Sequence, residues 1–314
     1  VACFGVFTMC YDCGMPSPSH LLMQDTLRLP VERVVSAYYG RAWSAASFTD
    51  LVDFSSHPCA ILSDGSLRIF VKFSGAANGL DQFEVELAGL RYLQERAGVL
   101  IPTPIGNIEV EGGVLMVMEA AQEVERGPRQ WREIGETLAR IHTVSGERFG
   151  LDRQGYFGPL YQDNRPLDDW LAFYSERRIW PRLMGAIDSG NLPTQVIWQV
   201  EKLITRLPGL DIPPVKPCLL HGDAQKNNYI STARGAMVID PAVYYGNPEI
   251  DLAYVDYFEP VPEDVFLGYQ EILPIAPGFA ERRDLWRIAA YLAAVEVEGA
   301  VHLNRLTPAL QKYL

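Results

Sequence analysis

The sequence predicts an α+β fold in two unequal lobes, a small antiparallel sheet with one helix followed by a mainly helical lobe. Three observations carry that expectation. Short runs rich in β-branched and aromatic residues lie before residue 120, LRIFVKF at 67–73 being the clearest. Apolar residues at helical spacing dominate afterwards, as in QWREIGETLARIHTV at 130–144. An apolar hairpin within CLLHGDAQKNNYISTARGAMVIDPAVYYGNPEIDLA, at 218–253, interrupts the helical half and gathers polar residues at its turns. Strands grouped ahead of helices fit a segregated α+β fold better than an alternating one.

At 314 residues the chain can build one large core or two lobes. We divide it into a leader at 1–23, a sheet-bearing N-lobe at 24–119, a hinge linker at 120–126 and a helical C-lobe at 127–314. In the leader, Cys10 and Cys13 form a CxxC with no second pair at zinc spacing, so no metal site is expected there. The basic start of a signal peptide is also missing. A helix follows at 29–39, with Pro30 near its start and Gly40 past its end. Strand-like runs occupy 44–54, 59–62 and 67–73, with Ser63-Asp64-Gly65 turning into the third. Lys72 sits in that third strand among apolar neighbours, where a snorkelling edge lysine is the plainer reading.

The next helix, 79–97, is apolar at Leu80, Phe83, Leu87, Leu90 and Leu93 and carries Glu84 and Glu86. Pro102 and Pro104 break the chain before a hairpin at 105–110 and 114–118, which ends at Glu119. Helices are expected at 130–144, 168–183 and 195–207, the second with Trp170, Phe173 and Tyr174 in a stripe beside Arg177 and Arg178. Pro213, Pro214 and Pro217 lead into the 218–253 hairpin, and a terminal helix spans 285–303 with Glu296 and Glu298. Asp256, Glu259, Glu263 and Asp264 recur without a nearby base.

The 218–253 stretch holds the chemistry. His221-Gly222-Asp223 and Asn228 share a loop, a hairpin turns at 232–235, and Asp240 closes its second strand. Pairing those strands brings Asp240 beside the loop. One carboxylate is then placed to act as a base, and an Asn/Asp pair supplies the hard oxygens that Mg²⁺ takes alongside water and phosphate. Phosphoryl transfer needs this set. A lone His-Gly-Asp would read as a polar turn, but the whole series in order matches the layout of a kinase catalytic loop with its metal-binding Asp.

On these residues the chain resembles the aminoglycoside phosphotransferase and choline kinase superfamily. IDPAVYYGNPEIDLA resembles, more narrowly, the IDPAxYYGxxExDLA motif of the fructosamine kinase (ketosamine 3-kinase) family. FGLDRQGYFGPLYQDNRPLDDWLAFYSERRIWPRL, at 149–183, is similar to that family's FG…G…Q-x-N…W…F…RR segment. The resemblance implies a protein-kinase-like two-lobe fold with ATP and Mg²⁺ in its cleft. It makes Asp223 the base, Asn228 and Asp240 the metal ligands, His221 a support of the loop, and Lys72, paired with Glu86, the phosphate-binding lysine. Glu84 is the reserve partner. His142 and Asp251 become structural, Asp251 by accepting backbone N–H bonds from the catalytic loop. Met118 and Glu119 mark the adenine hinge.

The phosphate loop departs from the kinase pattern: at 54–58 it has no glycine, which leaves Ser55 and Ser56 to cradle phosphate, beside Cys59 as a packed strand thiol. The catalytic loop departs too. The family's HGDLWSGN is here HGDAQKNN, so Gln225 replaces Trp and Lys226 adds a cation near the transferred phosphate or facing solvent.

The implied acceptor is a ketoamine, a fructosamine or ribulosamine, free or on a protein lysine. An aminoglycoside or other amino-sugar kinase is the first alternative, and a non-catalytic pseudokinase binding module the second. A net charge of −12 suits amine-bearing substrates and disfavours nucleic acid and anionic membranes as partners. Five scattered cysteines fit a reducing cytoplasmic setting, and no apolar run is long enough to span a membrane.

Overall fold

The structure, a computed structural model, describes residues 19–51 and 57–314. The chain opens with α1 (Ser19–Met23) and α2 (Asp25–Tyr39). A sheet follows, built from β1 (Ser47–Asp50), β2 (Cys59–Ser63), β3 (Arg68–Ser74), β4 (Pro104–Val110) and β5 (Gly113–Glu119), with α3 (Gly79–Ala97) between β3 and β4. Its order is β1-β2-β3-β5-β4, and every neighbouring pair is antiparallel.

The twofold alternation along β3 sorts its side chains onto two faces. Ile69 and Val71 join Leu115 and Val117 of β5 in a small core capped by Leu22, Leu27, Val31 and Val35 of α1 and α2. Lys72 lies on the opposite face. There Met116 and Met118 of β5 share a second core with Phe83, Leu87, Leu90 and Leu93, the apolar stripe of α3. That helix stops at Gly98, whose φ of 66° is the left-handed turn that caps a helix C-terminus.

Two early elements differ from expectation. The helix predicted at 29–39 begins at Asp25, which puts Pro30 inside it. Proline supplies no N–H to the turn before it, so residues 25–29 join the helix against a local cost. Burial of Leu22 and Leu27 against the sheet offsets it. The strand predicted at 44–54 is limited to Ser47–Asp50 within the described residues.

The second lobe begins with α4 (Pro128–His142) and the small hairpin β6 (Gly155–Phe157) and β7 (Leu160–Gln162). The helix predicted at 168–183 is α5 (Trp170–Phe173), a wider π-helical run (Tyr174–Ile179) and α6 (Trp180–Asp188). Then come α7 (Thr194–Arg206), β8 (Cys218–Leu220), β9 (Tyr229–Thr232), β10 (Gly235–Val238) and β11 (Tyr244–Gly246). The chain ends in α8 (Glu249–Tyr254), α9 (Asp264–Gln270), α10 (Phe279–Glu298) and α11 (Leu303–Gln311).

The long α10 starts six residues before the predicted 285 and ends at Glu298, capped by Gly299, rather than at 303. From Leu285 to Val295 every residue is buried, as in a helix at the centre of a lobe. Close approach of α4 and α9 depends on two glycines. A Cβ on Gly135 would meet the Val265 carbonyl oxygen at 1.9 Å, and one on Gly268 would meet that of Arg132 at 2.2 Å. No helix among the described residues is long and apolar enough to cross a membrane.

Candidate active site

Between β8 and β9 the chain runs through the His221–Asn228 loop, and β9 and β10 return it to Asp240. Antiparallel pairing of Tyr229 with Val238 brings the two ends of the loop and hairpin together. The Ile239 N–H then donates to the Asn228 carbonyl at 3.0 Å. β8 pairs instead with β11, and the Ala242 N–H donates to the His221 carbonyl at 2.8 Å. This contact explains Gly222. Its φ is 82°, and a Cβ there would lie 2.0 Å from the Ala242 carbonyl oxygen.

Asp251, buried on α8, ties the loop down. Its carboxylate accepts the His221 N–H at 2.7 Å and the Gly222 N–H at 3.0 Å, and its Oδ2 also meets His142 Nε2 at 3.1 Å. His142 Nδ1 in turn meets the Tyr269 hydroxyl at 2.9 Å. The His221 ring spans the loop, with Nε2 donating to the Ile239 carbonyl at 3.0 Å and Nδ1 facing the Asp223 N–H at 3.3 Å. Those partners require the neutral Nε2–H tautomer, and burial, which lowers its pKa, keeps the ring neutral.

Asp223 is buried, with one carboxylate oxygen engaged. Its Oδ2 accepts Asn228 Nδ2 at 3.0 Å and Gln225 Nε2 at 3.2 Å, and Oδ1 has no protein donor among the described residues. Burial pushes its carboxyl up to about 7, against the pull of the two amides. Asn228 Nδ2 also donates to the Asp223 carbonyl at 2.7 Å. Both amide hydrogens of Asn228 are therefore spent on Asp223, and its Oδ1 has no protein donor among the described residues.

A second group surrounds Lys72. Its Nζ donates to Glu86 Oε2 at 2.9 Å and to Asp240 Oδ1 at 3.1 Å. Burial alone would lower this ammonium, but the Asp240 and Glu86 carboxylates outweigh it and hold its pKa above the usual value. Partial desolvation pushes Asp240 up, yet the Lys72 charge holds it well below the usual carboxylate range. Asp240 is the one non-glycine residue with positive φ among the described residues, at 49°, and its side chain is 42% exposed. Aspartate is among the few residues that tolerate this conformation, which is often found at functional sites.

Asn228 and Asp240 line one side of a cleft of about 730 Å³, and Met118 and Glu119 line another. That volume suits a mononucleotide-sized ligand. Among the described residues no cluster of three His, Cys, Asp or Glu side chains is placed to hold a metal. A hard cation that takes phosphate and water for most of its shell needs no more than Asn228 Oδ1 and the exposed Asp240 carboxylate, so the residues present fit Mg²⁺.

The structure thus brings together Lys72, Glu86 and Asp240 in one hydrogen-bonded set, and His221, Asp223 and Asn228 in another next to it. Glu86 pairs with Lys72, whereas Glu84 is exposed. Ser55 and Ser56 lie outside the described residues. Glu119 accepts the Tyr39 hydroxyl, so the end of β5 is tied to α2. Cys59 is buried in β2, its Sγ 3.4 Å from the Leu51 carbonyl.

Lys226 pairs with Glu259 at 2.5 Å. The acids read as uncompensated have partners from distant segments: Asp256 meets Arg283 and Arg287, and Asp264 meets Arg132. Glu296 and Glu298 pair with Arg182 and His302.

Sequence reasoning missed His57 and the bond from Gln225 to Asp223. His57 packs 5.6 Å from the Phe83 ring, and burial pushes its pKa down to about 4. The one available signal for Gln225 was its place in the catalytic loop, two residues past Asp223.

Comparison with known proteins shows the family. The sequence model described as "Fructosamine kinase" matches residues 30–314. The chain is 29% identical to a probable ketoamine kinase of Vibrio cholerae over 259 residues, 82% of this chain and 88% of that one. It is 28% identical to the ketosamine-3-kinase of Mus musculus over 253 residues, 72% of this chain and 81% of that one. A solved fructosamine-3-kinase candidate from Thermobifida fusca superposes with a TM-score of 0.78 at 31% identity, covering 90% of this chain and 98% of its own. Aminoglycoside phosphotransferase APH(4)-Ia, solved with ADP and hygromycin B, superposes with a TM-score of 0.57 at 15% identity, covering 90% and 96%. At that identity the likeness concerns the fold alone.

Proposed function

The chain belongs to the fructosamine kinase family, and from that premise we propose that it transfers the γ-phosphoryl group of ATP to a hydroxyl of a ketoamine. The observation that carries the reading is the arrangement of Asp223. One carboxylate oxygen is held by Asn228 and Gln225, and the other is left for an acceptor hydroxyl.

In this reading Asp223 orients the acceptor and takes its proton. A carboxyl raised to about 7 accepts a proton more readily than an ordinary aspartate and is still half ionised at neutral pH. Lys72, held in place by Glu86, offsets negative charge on the nucleotide phosphates. Asn228 and Asp240 would hold Mg²⁺, which when bound neutralises phosphate oxygens. His221 and Asp251 keep the loop in register, so that the reaction is accelerated mainly by positioning and charge. The glycated lysine of a protein remains within the proposed acceptor class, and a reducing cytosol is the proposed setting, which the scattered cysteines fit.

ADP release with fructoselysine, ribuloselysine and a panel of aminoglycosides tests the assignment. Turnover of a ketoamine that disappears in Asp223→Asn is expected. Turnover of an aminoglycoside alone would displace the ketoamine from the reading.

A further inference from the structure

A second, smaller cavity adjoins the catalytic loop. Gly222 forms part of its wall, with Tyr244, Tyr254, Arg177, Arg178 and Arg182. Its volume is about 30 Å³, room for roughly two or three water-sized atoms, hence for a carboxylate and not a sugar ring. The three arginines come from the run that passes through the π-helical stretch Tyr174–Ile179 into α6. A π turn narrows the angle between consecutive side chains, so Arg177 and Arg178 both reach the same cavity.

Charge at this cavity is unbalanced. Arg182 is matched by Glu296 at 3.1 Å. Arg177 Nε lies 3.5 Å from the Asp163 carboxylate, which is bound more closely by Arg165 at 2.7 Å, and Arg177 Nη1 lies 3.5 Å from Glu176. No carboxylate comes within 4 Å of Arg178 among the described residues. Its guanidinium donates to the carbonyls of Asp163 (2.8 Å) and Arg177 (3.0 Å) and to Asn164 Oδ1 (2.7 Å), and it stacks 3.9 Å from the centre of the Tyr244 ring. The Nε atoms of Arg177 and Arg178 are buried with no hydrogen-bond acceptor. Buried charges are ordinarily paired, and a guanidinium fork matches the two oxygens of a carboxylate. An excess of cations in an interior cavity stands out further in a chain of net charge −12.

We propose that this cavity is a carboxylate subsite of the acceptor site, and that the preferred substrates are ketoamines formed on the α-amino group of an amino acid. The inference rests on the ketoamine kinase reading. In such a substrate the carboxylate is one carbon from the linking nitrogen and roughly 6 Å from the third sugar carbon, by ordinary bond lengths. Gly222 lines the cavity and immediately precedes Asp223 in the chain, which sets the arginines beside the loop that would hold the acceptor hydroxyl. A sugar on the ε-amino group of a lysine within a protein has no carboxylate at that distance.

The experiment compares two acceptors that differ only in the carboxylate, N-fructosylglycine and N-fructosylglycinamide, by ADP release with the whole chain. The wild-type kcat/KM should favour the acid by about tenfold or more, as expected for a charge-assisted bidentate contact. The difference should lie mainly in KM, and the acid-to-amide ratio should fall severalfold in Arg177→Gln and in Arg178→Lys. Arg178 is packed into the fold, so the partly exposed Arg177 serves as the second variant if Arg178→Lys melts early. A wild-type ratio near one with both acceptors turned over would overturn the subsite and leave the kinase assignment standing. So would a ratio that neither variant changes. Failure to turn over either ketoamine would overturn the assignment itself, and the subsite with it.

Discussion

Asp251→Asn tests how the catalytic loop is held. The Asp251 carboxylate is buried and serves three groups: the N–H of His221 at 2.7 Å, the N–H of Gly222 at 3.0 Å and the His142 ring at 3.1 Å. Two of these are backbone donors that approach different oxygens. Asparagine offers one oxygen and one NH₂ in the same space, so either orientation points an amide N–H at a backbone N–H. A hydrogen bond to a charged acceptor contributes about 1.5–3 kcal/mol, and a buried unpaired donor costs about 1–3 kcal/mol. The combined loss is therefore roughly 3 kcal/mol. At about 2 °C per kcal/mol for a chain of this size, the melting temperature should fall by about 6 °C.

The same change frees the segment that carries Asp223, and a displacement near 1 Å is enough to lower the rate by about 100-fold. Scanning calorimetry and steady-state ADP release measure the two effects, which should appear together, with KM for ATP changed least. A variant that melts within about 1 °C of wild type and keeps kcat within about twofold would refute the idea that Asp251 sets the loop.

Three further outcomes follow from the site. With Asp223 raised to about 7, kcat/KM should climb with pH and level off above that value; a profile already flat from pH 5 to 8 would exclude Asp223 as a base of that pKa. Because the native carboxyl holds its proton between about pH 4 and 7 while the unfolded one does not, this group makes the fold less stable as pH rises through that window. Asp223→Asn should then be inactive, and its melting temperature should gain on wild type between pH 5 and pH 8. Gln225→Ala removes one of the two amides that favour the ionised carboxylate, so the pH–rate profile should shift to higher pH; a lower kcat at an unmoved midpoint would count against this role. ATP with Mg²⁺ should raise the melting temperature of wild type and not of Asp240→Ala, whereas a non-catalytic binding module that takes no metal nucleotide would show no shift in either protein.

Features governed by local spacing are legible in the sequence alone. The helix at 79–97 was placed with its observed ends, because its apolar stripe and Gly98 are both local signals. The hairpin was placed within two residues, since its turn and apolar strands lie together in the chain. The loop motif, its Asp240 partner and the anchoring role of Asp251 followed from residue order together with the family resemblance. Other features were hidden. Pro30 inside α2 contradicts a local rule that packing overrode. Acids that looked uncompensated find arginines as far as 132 residues away.

By itself the sequence determined the class of fold and the order of the residues proposed for phosphoryl transfer, because periodicity, turn chemistry and motif spacing act over a few neighbouring residues. Only the tertiary structure decided that Lys72 also reaches Asp240, 168 residues further on, that Gln225 bonds the Asp223 carboxylate, and that three arginines meet in a cavity beside Gly222. Those contacts depend on how helices and sheet edges pack. Packing reflects the shape and burial of the whole chain, and no short window of residues records it.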